Sequence, residues 1–306
     1  MQAGLSESAH VRIVRAVRIA DLPWYDLPEL VDATDSWWCG IAGHLRRLGV
    51  EAVPDALLRE GSHVDRWRHP ELLLSQACGY DVLYDAADDI VPIATPCYTA
   101  EGCEGPRYRS IVVVRSDHRA QTLADLRGAR AAINEASSHS GTNALRAVVA
   151  PLSRDGVFFG EVLVTGAHCD SLAAVHAGAV DVACIDAVVL ALLRRARPAA
   201  VRGLRPVLCT ATALAPPYVV SARAPAALRQ VVQQALHDAA RDPRLGTVRR
   251  ALLLDAFAFL PPASYAELEA FEEEALEVGY FELPAPARSP LSRLRWPGRE
   301  RRACSG

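Results

Sequence analysis

Between residues 137 and 142 the chain reads Ser137-Ser138-His139-Ser140-Gly141-Thr142, four hydroxyls and an imidazole within six residues. An apolar run, Ala131-Ala132-Ile133, comes just before, and Leu145, Val148 and Val149 follow at helical spacing. The pattern predicts a strand, a tight loop and a helix N-terminus. The unpaired N–H groups of a first helical turn, the positive end of its dipole and hydroxyls at the cap all favour an anion at one point. Capping alone, by Ser138 or Ser140, is the commoner use of such residues. The anion chemistry therefore needs support from the rest of the chain.

All 33 basic residues are arginine and none is lysine. Schiff-base chemistry on a lysine is excluded, and so is a Walker-type phosphate loop. Eight cysteines are scattered without a C-x-x-C pair, so no structural zinc site is expected; no metal and no cofactor is assigned. Cys39 and Cys184 read as small core residues. Cys78, Cys97 and Cys103 bracket one loop region, where a disulfide or free thiols would both fit. A net charge of −3 is too small to indicate nucleic acid or an anionic membrane as the partner. No apolar run is long enough for a membrane span, and the first twenty residues as written carry no secretory signal.

These side chains need elements to hold them. At 306 residues, 51% of them hydrophobic, the chain can bury two moderate cores. A strand is expected over Val11 to Ala20, then a turn before Trp24-Tyr25-Asp26, and an amphipathic helix from about Pro28 to Leu48. Trp37 and Trp38 fall on different faces of that helix, one inward and one outward. A short strand at Glu51 to Val53, a helix over Pro70 to Ala77 and a strand over Ile90 to Thr95 follow. From Tyr108 the rhythm becomes βα, with continuous apolar strands at 111–114, 129–134, 161–165 and 180–186, which predicts a parallel, helix-covered sheet. A strand returns at 207–210, and helices are expected over 225–242, 245–254 and 265–277. The Arg-rich tail, 285–306, is expected to be disordered.

Four stretches carry a likeness to a known family. They are Leu74 to Tyr80; Tyr108 to Arg115 with Leu123-Ala124-Asp125-Leu126-Arg127-Gly128; Ser138-His139-Ser140-Gly141; and Gly166-Ala167-His168 with Gly178 to Asp186. In order and spacing they resemble the phosphate/phosphite/phosphonate substrate-binding proteins of ABC importers, the PhnD-like branch of the type II periplasmic binding proteins. The resemblance implies an α/β fold of two lobes, each a mostly parallel sheet flanked by helices, joined by two hinge strands. Lobe 1 would comprise residues 10–97 plus 207–284, and lobe 2, the anion-binding one, residues 108–205. The ligand would lie between them, beyond the C-terminal ends of the strands.

On this resemblance, Ser138, His139, Ser140 and Thr142 would hold the oxyanion with hydroxyl, imidazole and backbone donors, and His168 would donate to it. Asp186 would meet a ligand ammonium or a phosphoryl hydroxyl, cap the helix starting at residue 187, or do both. From the first lobe Tyr25, Gln76 and Tyr98 are expected to line the cleft, with Trp38 a further candidate. The implied partners are a small anionic ligand and an ABC permease, with a monomer as the working form. The implied location is periplasmic, against which stands the missing secretory signal in the chain as written.

Two other functions share the fold. An enzyme could use Asp186 and His168 as an acid/base pair, although Ser138-His139-Ser140-Gly141 is not the G-x-S-x-G elbow and no histidine pair has metal-ligand spacing. A cytoplasmic sensor could use the same cleft, although no helix-turn-helix is appended to the chain.

Overall fold

A computed structural model describes residues 18–281 and 283. The expectations for residues 11–17 and for the tail, 285–306, lie outside the described residues. Strand β1 (Ile19–Ala20) leads through a 3-10 turn, Pro28–Leu30, into helix α1 (Val31–Arg47). Proline opens that turn, where its missing N–H costs nothing, and Gly49 at φ 82° ends the helix in the left-handed region. One stripe of α1 is buried: Thr34, Trp37, Trp38, Ile41, Ala42 and Leu45. Both tryptophans are therefore inside, contrary to the expected split. Each can be there because its indole N–H is paired, Trp37 with the Tyr218 hydroxyl (3.1 Å) and Trp38 with the Pro54 carbonyl (3.2 Å). Cys39 lies on the exposed side of α1 rather than in the core, whereas Cys184 is buried; all seven described cysteines are free thiols.

After α2 (His63–Trp67), strand β2 (Leu72–Gln76) is buried at every residue. It stands where a helix over 70–77 was expected. Both faces of β2 are covered, so its unbroken apolar run has no period to separate strand from helix. The chain continues as α3 (Gly79–Leu83), β3 (Ile90–Tyr98), β4 (Arg107–Tyr108), β5 (Ser110–Arg115), β6 (Arg130–Ile133), α4 (Ala144–Val149), β7 (Glu161–Val164), α5 (His168–His176), β8 (Val182–Asp186) and α6 (Ala187–Ala196). It ends through β9 (Leu204–Cys209), β10 (Ala213–Leu214), β11 (Tyr218–Ser221), α7 (Ala226–Arg241), α8 (Gly246–Ala251), β12 (Leu254–Ala258) and α9 (Glu269–Glu277). Strands β11 and β12 were not foreseen in the sequence, and the expected strand at 51–53 does not form.

Two five-stranded sheets result, in the orders β1-β2-β11-β3-β12 and β7-β6-β8-β5-β9, with β4 and β10 paired as a ribbon of their own. Both sheets are mixed, which corrects the expectation of mostly parallel pairing. The βα rhythm does give parallel pairs, β6 with β7 and with β8. The strands next to the crossings pair antiparallel: β5 with β8 and β9, and β3 with β11 and β12. Strand β9 stays in the second sheet to Cys209, so the return crossing falls after the expected residue 207. The last described segment also leaves the first lobe: Ala275, Tyr280 and Leu283 share a core with Val112, Ile133 and Leu145 of the second.

Candidate functional site

Strand β6 ends at Ile133, and the helix after it begins as one turn of π-helix, His139–Asn143, before tightening into α4. Ser138 caps that turn, its Oγ accepting the Gly141 N–H at 3.1 Å. Ser138 Oγ and Ser140 Oγ lie 3.5 Å apart, and Ser140 Oγ is 2.9 Å from His168 Nε2. Gly141 leaves room for the Asn134 side chain, since a Cβ would stand 1.8 Å from Asn134 Oδ1. His168 begins α5, after a loop in which Gly166 takes φ 89°. Asp186 ends β8. The three groups thus come from the C-terminal ends of three adjacent parallel strands, β7, β6 and β8.

Asp186 is 2% exposed, and its hydrogen bonds show what it does. Its Oδ1 accepts the N–H groups of Val188 (2.7 Å) and Val189 (3.3 Å), capping α6. Its Oδ2 accepts the hydroxyl of Tyr25 from the first lobe at 2.8 Å. Burial pushes the carboxyl up to about 6, against the pull of Tyr25 and the two amides. Tyr25 itself holds φ 64°, a left-handed conformation that non-glycine residues rarely adopt.

A cleft of about 240 Å³ opens between the lobes at this point. Tyr25, Ser138, Ser140, His168 and Asp186 line it. Five other expected residues do not. Gln76 and Tyr98 lie one layer deeper, Gln76 Nε2 donating to the Tyr98 hydroxyl (3.2 Å) and to the Pro216 carbonyl (3.0 Å). Tyr98 packs edge-on against Tyr25 with ring centres 5.1 Å apart and so braces a cleft residue. Thr142 donates its hydroxyl back to the Glu135 carbonyl at 2.6 Å. The ring of His139 is packed edge-on against Phe271 at 4.8 Å, and burial takes its pKa down to about 4. Trp38 is buried within the first lobe.

Sequence reasoning missed Trp24, His63, Cys78, Asp81 and Glu135, which also face the cleft. A signal existed for two of them. Cys78 and Asp81 follow the end of β2 as Ser138 follows the end of β6, but reading β2 as a helix hid the parallel. Among the described residues no arginine lines the cleft. Burial raises Asp81 to about 7, with the charges of Asp85 and Glu135 adding to the shift, and lowers His168 to about 4. The donors that face the cleft are therefore neutral dipoles, and the charges around it are carboxylates.

A family model described as "ABC transporter, phosphonate, periplasmic substrate-binding protein" matches residues 71–276. Among curated proteins no sequence matches. Among solved structures, a binding-protein component of an ABC phosphonate transporter from Pseudomonas aeruginosa superposes with TM-score 0.70 at 14% identity, covering 86% of this chain and 87% of that one. PhnD1 from Prochlorococcus marinus, in complex with methylphosphonate, gives TM-score 0.67 at 13% identity over 85% of this chain and 98% of that one. A Xanthomonas citri protein bound to chloride ion gives 0.65 at 18% identity over 86% and 98%. These likenesses establish the two-lobed fold.

Proposed function

The chain belongs to the phosphonate family of ABC-transporter periplasmic substrate-binding proteins, and from that premise we propose that its interlobe cleft captures a small organic phosphonate for delivery to a permease. The observation that carries this reading is the corner formed by Ser138, Ser140 and His168. Two hydroxyls and an imidazole nitrogen sit within 3.5 Å of one another in sequence along a single hydrogen-bonded chain. An oxyanion placed there would replace those mutual contacts with charge-assisted ones, which are roughly twice as strong. The neighbouring structure that holds methylphosphonate supports the ligand class.

Electrostatics narrows the charge of the ligand. With Asp81, Glu135 and Asp186 around the cleft and no arginine in its lining among the described residues, a singly charged oxyanion suits it better than a doubly charged one. Capture would work by closure of the lobes, with ligand bridging both and shifting an existing equilibrium. A monomer suffices for this. The acid/base reading gains no support, because Asp186 is committed to Tyr25, Val188 and Val189, and His168 to Ser140.

The test is thermal unfolding with and without methylphosphonate. Ligand at about 100 times its dissociation constant is expected to stabilise the protein by ~2.7 kcal/mol. Ser140→Ala should remove most of that gain while leaving the unliganded melting temperature nearly unchanged. Absence of any stabilisation by methylphosphonate and longer alkylphosphonates would sink the proposal.

A further inference from the structure

The chain passes between the lobes after β3 and again after β9, the two crossings a hinge requires. It then makes a third. The 3-10 segment Pro262–Leu268 lies on the first lobe, where the Tyr265 hydroxyl donates to the Ala215 carbonyl at 3.0 Å. Beside it, Glu267 accepts two hydrogen bonds from Arg107 (2.9 and 3.0 Å) and one from the Leu214 N–H (3.0 Å). One carboxylate thus clamps both strands of the β4–β10 ribbon. Helix α9 follows immediately and docks on α4 of the second lobe. Ala275 and Tyr280 are wholly buried there with Leu145 and Val149, and Arg146 donates to the Phe281 carbonyl at 3.1 Å.

Glu272 of α9 sits where the lobes meet along this strap. Its Oε2 accepts the hydroxyls of Tyr80 (2.8 Å) and Tyr84 (3.0 Å), from α3 and its C-terminal end in the first lobe. Its Oε1 lies 3.2 Å from Arg146 Nη2 on α4. Arg146 Nη2 also donates to Asn143 Oδ1 at 2.8 Å, and Asn143 Nδ2 lies 3.4 Å from His139 Nδ1. Glu272 is therefore connected, through two side chains, to the π turn that presents Ser138 and Ser140.

We propose that Glu272 is a closed-state latch: helix α9 travels with the second lobe, and the Tyr80 and Tyr84 hydroxyls are the contacts that part when the cleft opens. The two sides of Glu272 are unequal in a way that fixes which gives. Toward the second lobe α9 is held by buried packing, which opening would have to expose. Toward the first lobe it is held by hydrogen bonds at a wet edge, where Tyr84 is 45% exposed and water can take over each bond at small net cost. Glu272 touches no ligand and acts as a positioning residue. The proposal uses the phosphonate-binding reading only for its affinity measurement.

The double variant Tyr80→Phe/Tyr84→Phe removes both hydroxyls and keeps the two packed rings, whose centres are 4.5 Å apart. Small-angle X-ray scattering of the unliganded protein and stopped-flow release of methylphosphonate read the outcome. A larger unliganded radius of gyration than wild type, a wild-type radius at saturation, and about tenfold weaker binding arising mainly from faster release are expected. Glu272→Gln, which keeps an acceptor for the tyrosines but loses its charge toward Arg146, should fall between the two. Unliganded radii and release rates equal to wild type in both variants would overturn the latch. If wild type fails to bind methylphosphonate, the ligand reading falls, and the unliganded radii alone decide the latch: equal radii overturn it and a larger variant radius supports it.

Discussion

Asp81 and Asp186 face the same cleft with carboxyls that burial raises from 3.8 to about 7 and about 6. Below those values they are neutral, and above them they are negative charges beside a negative ligand. Methylphosphonate affinity is accordingly expected to fall as pH rises through 6 and 7. Calorimetric titration across that range checks it, and Asp81→Asn should flatten the upper part of the profile. The same shifts bear on stability. A carboxyl with a raised folded-state pKa favours the fold fully only below its unfolded value; that contribution is lost as pH rises through the folded value. Asparagine at position 81 can still accept the Cys78 N–H, which Asp81 takes at 3.3 Å. Asp81→Asn is therefore expected to stabilise the protein by ~1–3 kcal/mol above pH 7 and to change little at pH 4, measured as melting temperature. The residue types here were visible in the sequence. Their protonation behaviour was not, because it depends on how much water the fold removes.

At the scale of the element, two glycines separate site from scaffold. A Cβ on Gly141 would meet Asn134 Oδ1 at 1.8 Å, a movable side-chain atom that itself faces the cleft. Gly141→Ala is thus expected to push the amide into the ligand's space, weakening methylphosphonate binding by about tenfold or more with a modest fall in melting temperature. A Cβ on Gly160 would meet the Gly128 carbonyl at 2.7 Å, backbone that cannot swing aside. Gly160→Ala should lose ~1–3 kcal/mol of stability and leave affinity in the folded protein unchanged. The strand, loop and helix around residues 131–149 were legible, since hydroxyl-rich caps and helical spacing are local signals. The π turn was not, and the contact of its Ser140 with His168 joins residues 28 apart in sequence. Strands β2, β11 and β12 escaped for the same kind of reason, their neighbours in the sheets lying far away in sequence.

For the whole molecule, a few polar contacts span the cleft between the lobes. The Tyr25 hydroxyl reaches Asp186 at 2.8 Å, and the His139 N–H reaches Cys78 Sγ at 3.4 Å. Tyr25→Phe should weaken methylphosphonate binding several-fold and shift the unliganded protein toward larger radii in scattering, because the buried carboxylate oxygen then prefers an open, wetted lobe. Order along the chain carried the family: four short stretches in the right succession announced a two-lobed binding protein. The sequence by itself determined which local segments could cap a helix or present a donor, because those depend on residues within a few positions of each other. Only the tertiary structure decided that Asp186 pairs with Tyr25, that His139 and Thr142 turn away while Asp81 turns in, and that α9 crosses to the second lobe. The Tyr25–Asp186 pair, the packing of His139 on Phe271 and the burial of Ala275 against Leu145 all join residues far apart in sequence, where the energy comes from burial and shared hydrogen bonds that no local pattern encodes.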